Sequence, residues 1–138
     1  MRTRTKGFSL VELLLVIAVL GILLSIGAIT LNKVIKTQKL QEATVTLAEN
    51  LRQAGNHARL ESRTVRVKVS SSGISWDYGT DASQFKSDKI PYSASISPAA
   101  TITFSGRGLP LASSSFTVGL YSKSKQVFLL PTGAVISR

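Results

Sequence analysis

Few side chains in this sequence are suited to chemistry. The 138 residues include no cysteine, one histidine (His57) and seven acidic residues. Without cysteine there is no disulfide, no thiolate metal site and no cysteine nucleophile, and one histidine cannot build a multi-histidine zinc site. We therefore expect no enzyme, no cofactor and no bound metal, and we interpret His57 as a packing residue on a helix face.

The carboxylate of Glu12 has unusual surroundings. It stands one turn inside an apolar run, and 20 uncharged residues follow it from Leu13 to Asn32. About 20 apolar residues can cross a bilayer as a helix, whereas the apolar core of a secretory signal peptide has only about 7–15. A charge at the bilayer centre costs about 2.5–3.5 kcal/mol on insertion scales. Glu12 is therefore either an interfacial carboxylate or one that needs a cationic partner.

The residues around Glu12 form a motif. A basic segment ends at Gly7, and Phe8-Ser9-Leu10-Val11-Glu12 precedes the apolar run. This motif resembles the leader of type IV pilins and type II secretion pseudopilins. In that superfamily a membrane peptidase cuts after the glycine, and the new N-terminal phenylalanine is N-methylated. The resemblance implies cleavage between Gly7 and Phe8, with methylation of Phe8.

The same resemblance gives Glu12 an assembly role. Cleavage leaves a charged amine on Phe8, and Glu12 of one subunit can neutralise the Phe8 amine of the next. Two charges that are each costly in an apolar core then become a pair. The implied partners are the prepilin peptidase/N-methyltransferase, other pilin or pseudopilin subunits and an inner-membrane assembly platform. Before assembly, such subunits are single-pass proteins of the inner (cytoplasmic) membrane, with a cytoplasmic N-terminus and a periplasmic C-terminal domain.

A helical pattern continues beyond the apolar run. No proline interrupts residues 8–62, and apolar residues recur at steps of three or four. The members of this stripe are Leu40, Ala43, Leu47, Leu51, Ala54 and Ala58. After Ser62 the period becomes two, with Val65, Val67 and Val69 on one face of a strand. Further strands are predicted at 74–78, 92–96, 101–105, 116–122, 126–130 and 134–136, with the rest of 80–100 as loop and a break at 123–125.

These elements predict an α+β fold. A long N-terminal helix, transmembrane in its first half and amphipathic in its second, packs against a small, mainly antiparallel β-sheet domain. The predicted segments are a cleaved basic leader (1–7), a transmembrane or filament-core helix (8–32), an amphipathic extension (33–62) and the β-sheet domain (63–138).

The order of motifs after the leader indicates one family within this superfamily. This order is similar to that of the minor pseudopilin family that includes secretion protein H and fimbrial protein T. The similarity lies in Arg63–Val67 followed by Trp76, in Thr101–Pro110 and in Gln126–Gly133. It implies a minor subunit rather than the bulk one. Pilus, type II secretion and competence machines all use such subunits.

The positive charge suggests a further partner. The net charge is +10, and nine basic but only three acidic residues lie between 63 and 138. We expect Lys33, Lys36 and Lys39 to anchor at lipid headgroups. Some relatives of fimbrial protein T bind DNA through a C-terminal Gly-Arg-x-Arg motif, which Ala134 breaks here.

The remaining charge has two interpretations. The first is a solvated surface. The second, which gives the alternative function, is the DNA-contacting surface of a minor pilin for natural transformation, and DNA binding by such a surface would be salt-sensitive. The DNA-contact candidates are Arg63, Arg66, Lys68, Arg107, Lys123, Lys125 and Arg138. Of these, Arg107, Lys123, Lys125 and Arg138 are expected to share one tip.

Overall fold

The computed structural model describes residues 8–77 and 85–138, without side-chain detail for 26–30 and Phe85. It divides into two compact units, Met1–Ile35 and Lys36–Arg138. One α-helix and eight strands are assigned to the described residues. They are α1 (Leu10–Leu60), β1 (Val65–Val69), β2 (Gly73–Asp77), β3 (Phe85–Lys89), β4 (Ser95–Ser97), β5 (Ala100–Phe104), β6 (Ser114–Leu120), β7 (Lys123–Leu129) and β8 (Val135–Ser137), with a 3₁₀ turn at Pro91–Ser93.

The first unit contributes the N-terminal part of α1. Its large apolar side chains between Leu10 and Leu24 are exposed. Across the described residues, we find no helical stretch that is both long and apolar enough to span a bilayer. The transmembrane assignment of 8–32 stays a prediction.

In the second unit, α1 buries the predicted apolar stripe. All six members, from Leu40 to Ala58, are at most 2% exposed. Thr44 lies on the same face and is also buried, but its hydroxyl donates to the carbonyl of Leu40 at 2.7 Å. That bond removes the cost of burying an unpaired hydroxyl. The amphipathic interpretation of this segment is confirmed.

The first sheet has the order β3-β2-β1-β5, and every pair is antiparallel. Alternation along β1 buries Val65, Val67 and Val69 and exposes the residues between them. Val67 lies opposite Trp76 on one side and Ile102 on the other. The buried face of this sheet therefore joins the apolar core that α1 also lines.

The second sheet has the order β4-β6-β7-β8, also antiparallel throughout. Phe116 on β6 pairs with Val127 on β7, and both are fully buried. The α+β fold with an antiparallel sheet domain is thus confirmed. The sheet domain consists of two four-stranded sheets that share one apolar core.

The prediction of a loop over most of 80–100 is wrong in part, because β3 lies within this range. Phe85-Lys86-Ser87-Asp88-Lys89 lacks the alternation that marks a half-buried strand. It is an edge strand paired with β2. The predicted strand at 92–96 is shorter, because Tyr92 belongs to the 3₁₀ turn and β4 begins at Ser95. Tyr78, the predicted end of β2, lies outside the described residues.

The predicted break at 123–125 is also wrong. β6 and β7 pair as far as Leu120 opposite Lys123, so only Tyr121 and Ser122 make the turn. Tyr121 adopts a φ of 58°. Two-residue hairpins favour glycine, asparagine or aspartate at such positions, and this turn contains none of them.

The turn Gly106-Arg107-Gly108 packs against the C-terminal part of α1. Gly108 has a φ of 77°, and a Cβ at this position would lie 2.7 Å from the carbonyl oxygen of Gly55. A Cβ at Gly106 would lie 2.8 Å from the carbonyl of Ser62. These glycines are therefore required for the close approach of backbone to backbone.

Candidate functional site

The candidate processing site lies at the start of α1. Phe8 is 74% exposed, and the helix begins two residues later at Leu10. The carbonyl of Ser9 accepts hydrogen bonds from the backbone N–H groups of Glu12 at 3.0 Å and of Leu13 at 3.2 Å. Gly7 and the rest of the predicted leader 1–7 lie outside the described residues.

Glu12 lies in the first turn of this 51-residue helix and is exposed. A carboxylate at this position complements the positive end of the helix dipole, an effect of about 0.3–1 kcal/mol. Ser9 and Glu12 also have the Ser-x-x-Glu spacing of a capping box. Glu12, for which the leader resemblance implies an assembly role, is thus also well placed to stabilise the start of the helix.

A second cluster lies at the N-terminal end of the Lys36–Arg138 unit. We call it the collar and define it as Lys36, Lys39, Tyr92, Tyr121, Lys123 and Lys125. The ammonium of Lys36 lies 5.5 Å from the centre of the Tyr121 ring, and that of Lys39 lies 5.2 Å from the centre of the Tyr92 ring. Both distances are within the range of a cation–π contact.

The two β7 lysines of the collar reach α1 by hydrogen bonds. Lys123 Nζ donates to Thr37 Oγ1 at 2.8 Å, and Lys125 Nζ donates to Gln41 Oε1 at 2.5 Å. Side chains alternate along a strand, so both lysines share the side of β7 that buries Val127 and Leu129. They lie on the side of the sheet that faces the helix, just beyond its buried apolar residues.

Tyr92 connects the collar to a carboxylate of the helix. Its hydroxyl donates to Glu42 Oε2 at 2.6 Å. This hydrogen bond, with smaller contributions from desolvation and from the charge of Glu42, raises the pKa of Tyr92 above its usual value of 10.0. A raised pKa means that the stabilising contact is complete below pH 10 and is lost as the pH rises through the higher folded-state pKa.

The DNA-contact candidates do not form one cluster. Arg138 exchanges two backbone hydrogen bonds with Gln126, both 2.9 Å, and therefore lies near Lys125. Arg107 lies beside Gly108, whose Cβ position is 3.1 Å from Arg59 Cβ. Roughly 30 Å of helix separates Thr37 from Arg59 at 1.5 Å per residue. The expectation that Arg107 shares a tip with Lys123, Lys125 and Arg138 is wrong.

The remaining candidates lie elsewhere. Arg63 pairs with Glu61 at 2.9 Å, just after α1. Arg66 pairs with Asp77 at 3.0 Å. Arg66 and Lys68 lie on the exposed face of β1, opposite the buried valines. Within the described parts of the chain, no group of three or more metal-ligating side chains comes together.

The comparison with protein families bears on the first of these sites. Residues 2–28 match the family model for the prokaryotic N-terminal methylation motif. The matched range contains Gly7, Phe8 and Glu12. The match supports the type IV pilin and pseudopilin superfamily, processing by prepilin peptidase with methylation, and assembly with other pilins. It points to a structural subunit rather than an enzyme.

No curated protein and no solved structure gave a significant match. The likeness to the secretion protein H and fimbrial protein T family therefore stays a prediction. The collar tyrosines were not identified from the sequence. Their one sequence signal is an aromatic residue at a turn, as in Leu120-Tyr121-Ser122-Lys123, where a small or polar residue is usual.

Proposed function

We propose that this chain is a prepilin-like structural subunit. It is cleaved after Gly7, N-methylated on Phe8 and assembled through its N-terminal helix into a type IV pilus or a type II secretion pseudopilus, as a minor subunit. The observation that carries the proposal is the methylation motif over residues 2–28, which includes the beginning of the 51-residue helix α1.

The geometry at the start of α1 supports this function. Phe8 and Glu12 are both exposed, so each is available to a neighbouring subunit. An uncut chain has an amide at Phe8 and carries its amine seven residues away. Cleavage therefore creates the cation that Glu12 of a neighbour needs, at the end of the helix where it is needed.

The proposal includes the location of the subunit before assembly. It is stored in the inner membrane as a single-pass protein, with its N-terminus in the cytoplasm and the β-sheet domain in the periplasm. An inner-membrane platform then transfers it to the growing fibre. The exposed apolar surface of α1 from Leu10 to Leu24 supports a lipid or subunit environment for this segment, because soluble proteins rarely expose contiguous apolar patches of this size.

Processing gives the first test. In cells that contain prepilin peptidase, we expect the chain to lose residues 1–7 and to gain one methyl group on Phe8. Gly7→Val should block this cleavage and leave the chain beginning at Met1, because in the leaders that this motif resembles the cut follows a glycine. Intact-mass measurement of the purified chains distinguishes the two forms.

Gly21→Val is the matched control, because nothing lies within 4 Å of a Cβ at Gly21. This variant should be cleaved like the unaltered chain. The processing proposal is wrong if the unaltered chain keeps residues 1–7 in the presence of active peptidase, or if Gly7→Val is cleaved normally.

A second candidate function is DNA binding during natural transformation. The observation that favours it is the concentration of basic residues where β7 pairs with the chain's last residues. Lys123 and Lys125 lie on one side of β7, and Arg138, which pairs with Gln126, lies on the other side of the same two strands. Phosphate contacts need basic side chains close to the nucleic acid. The competing interpretation is that Lys123 and Lys125 have a structural role, through their hydrogen bonds to α1.

A gel-shift series with the full chain in detergent tests this candidate. If the three residues contact phosphates, changing them together to glutamine should weaken duplex binding and lower the log–log salt slope by about 3, at roughly 0.9 per phosphate. The control removes the same charge from Arg63, Arg66 and Lys68. Equal weakening by both variants, or no shift at low salt, would reject a DNA site at β7 and β8.

A further inference from the structure

We propose that the collar binds the β-sheet domain to anionic lipid headgroups while the subunit is in the membrane, before assembly. This inference rests on the proposed function, because it needs a membrane-stored subunit. In this membrane-bound state, a surface of the folded domain contacts the lipids, in addition to the helix that anchors the chain.

The charge of the collar fits an anionic surface. Its four lysines come from two elements distant in sequence, α1 and β7, and Glu42 is the carboxylate that contacts the cluster through Tyr92. Juxtamembrane clusters of lysine are attracted to anionic leaflets. The fold thus adds Lys123 and Lys125 to a basic helix segment that the sequence already contains.

The position of the helix lysines fits as well. Lys36 follows Asn32, the last residue of the uncharged run, by four residues, which is about one helical turn. Lysines immediately beyond an apolar segment reach the headgroup layer with their ammonium groups. If residues 8–32 occupy the bilayer, Lys36 and Lys39 lie at headgroup depth, and the collar tyrosines are in contact with them.

The tyrosines provide the independent observation. Tyr92 and Tyr121 adopt φ values of 61° and 58°, in the left-handed region. A side chain is disfavoured there, and glycine would relieve the strain. Both residues are nevertheless substantially exposed, at 43% and 60%. A strained, exposed aromatic residue at two separate turns indicates that the ring itself is used.

The chemistry of a tyrosine ring fits the membrane interface. Tyrosine is enriched at headgroup level because it combines an apolar ring with a polar hydroxyl. In the collar each ring also carries a lysine ammonium near its face. Each tyrosine ring and its lysine are therefore exposed side by side. The ring suits the apolar part of the membrane interface, and the ammonium suits its anionic headgroups.

The absence of cysteine from the sequence permits a direct measurement. Ser122→Cys, beside Tyr121, is labelled with a fluorescent donor in the full-length chain and reconstituted into vesicles that carry an acceptor lipid. We expect energy transfer to be about twofold higher with phosphatidylglycerol present than in pure phosphatidylcholine, and to fall with added salt. A donor at Asn56→Cys, near the other end of the domain's helix segment, should show a much smaller change.

Two variants test whether the collar is responsible. Lys36→Gln, Lys39→Gln and Lys123→Gln together should abolish the lipid-dependent increase, whereas the matched loss of charge at Arg63, Arg66 and Lys68 should preserve it. Tyr121→Gly should also reduce the increase while relieving backbone strain, so a folding defect cannot explain its effect. Unchanged Trp76 fluorescence confirms that each variant is folded.

The contradicting outcomes are separate from those of the proposed function. A chain that is not retained by vesicles after an alkaline wash overturns both proposals. A retained chain with equal transfer in the two lipids, or equal losses in the collar and control variants, overturns the collar alone. If the collar variant keeps the lipid response but loses a duplex gel shift, the surface binds nucleic acid and the lipid proposal is wrong.

Discussion

Replacing Glu12 by leucine is expected to leave processing intact but to reduce incorporation into filaments at least about a hundredfold. The change leaves the Phe8 amine of the neighbouring subunit without a counter-charge inside an apolar helix bundle. Breaking such a pair costs about 3–5 kcal/mol, and each 1.4 kcal/mol corresponds to about a factor of ten in an association equilibrium. Quantitative mass spectrometry of sheared filaments and of membranes gives the ratio.

Glu49→Leu is the matched control for this experiment. Glu49 is also an exposed acidic residue of α1, and its ion pair with Arg52 is 3.9 Å long between side chains that are about half exposed. Exposed pairs of this kind contribute about 0–1 kcal/mol, so assembly should change little. Normal incorporation of Glu12→Leu, or an equal loss with Glu49→Leu, would contradict the pairing.

Gly108→Ala is expected to lower the free energy of unfolding by about 2–6 kcal/mol. The new Cβ would lie 2.7 Å from the carbonyl oxygen of Gly55 and 3.1 Å from Arg59 Cβ, at a φ of 77°. Left-handed strain at a residue with a side chain costs about 1–3 kcal/mol, and overpacking adds about 1–3 kcal/mol. Denaturant unfolding of the full chain in detergent measures the loss, with Trp76 as a probe that is 2% exposed.

Gly119→Ala separates this mechanism from a general intolerance of alanine for glycine. A Cβ at Gly119 meets only the hydroxyl oxygen of Ser95, at 3.0 Å, and that hydroxyl can rotate away. We expect a change below about 1 kcal/mol, as for most substitutions without a specific clash. Equal destabilisation by the two variants would show that the approach of Gly108 to α1 is not the cause.

The parts of the fold that bury apolar side chains could be predicted from the sequence. The stripe from Leu40 to Ala58 and the alternation Val65, Val67, Val69 are visible as periods of 3.6 and 2, and every one of these residues is buried. Burial of apolar surface is the dominant favourable term in folding. It therefore constrains the order of residue types along the chain, and this constraint can be read without coordinates.

The parts held by backbone pairing or by distant contacts could not be predicted. β3 is a polar edge strand whose pairing with β2 leaves no side-chain pattern. Tyr92 and Glu42 are 50 positions apart in the chain, and Lys123 and Thr37 are 86 apart. Nothing local to these residues shows that they meet.

The two candidate sites differ in the same way. Gly7, Phe8 and Glu12 are adjacent in sequence, so a linear motif is enough to find them, and the match over residues 2–28 supports that interpretation. The collar combines residues of α1, the 3₁₀ turn and the β6–β7 hairpin. The arrangement of the sheets alone brings those residues together, and the same arrangement places Arg107 far from Lys123.

The central claim is that the chain enters a fibre as a processed pilin-like subunit. Intact-mass measurement of the chain isolated from purified filaments tests it most directly. We predict a chain that begins at Phe8 and carries a single N-terminal methyl group. A chain in the filaments that still begins at Met1, or filaments of the same cells from which the chain is absent while it accumulates in the membrane, would contradict the claim.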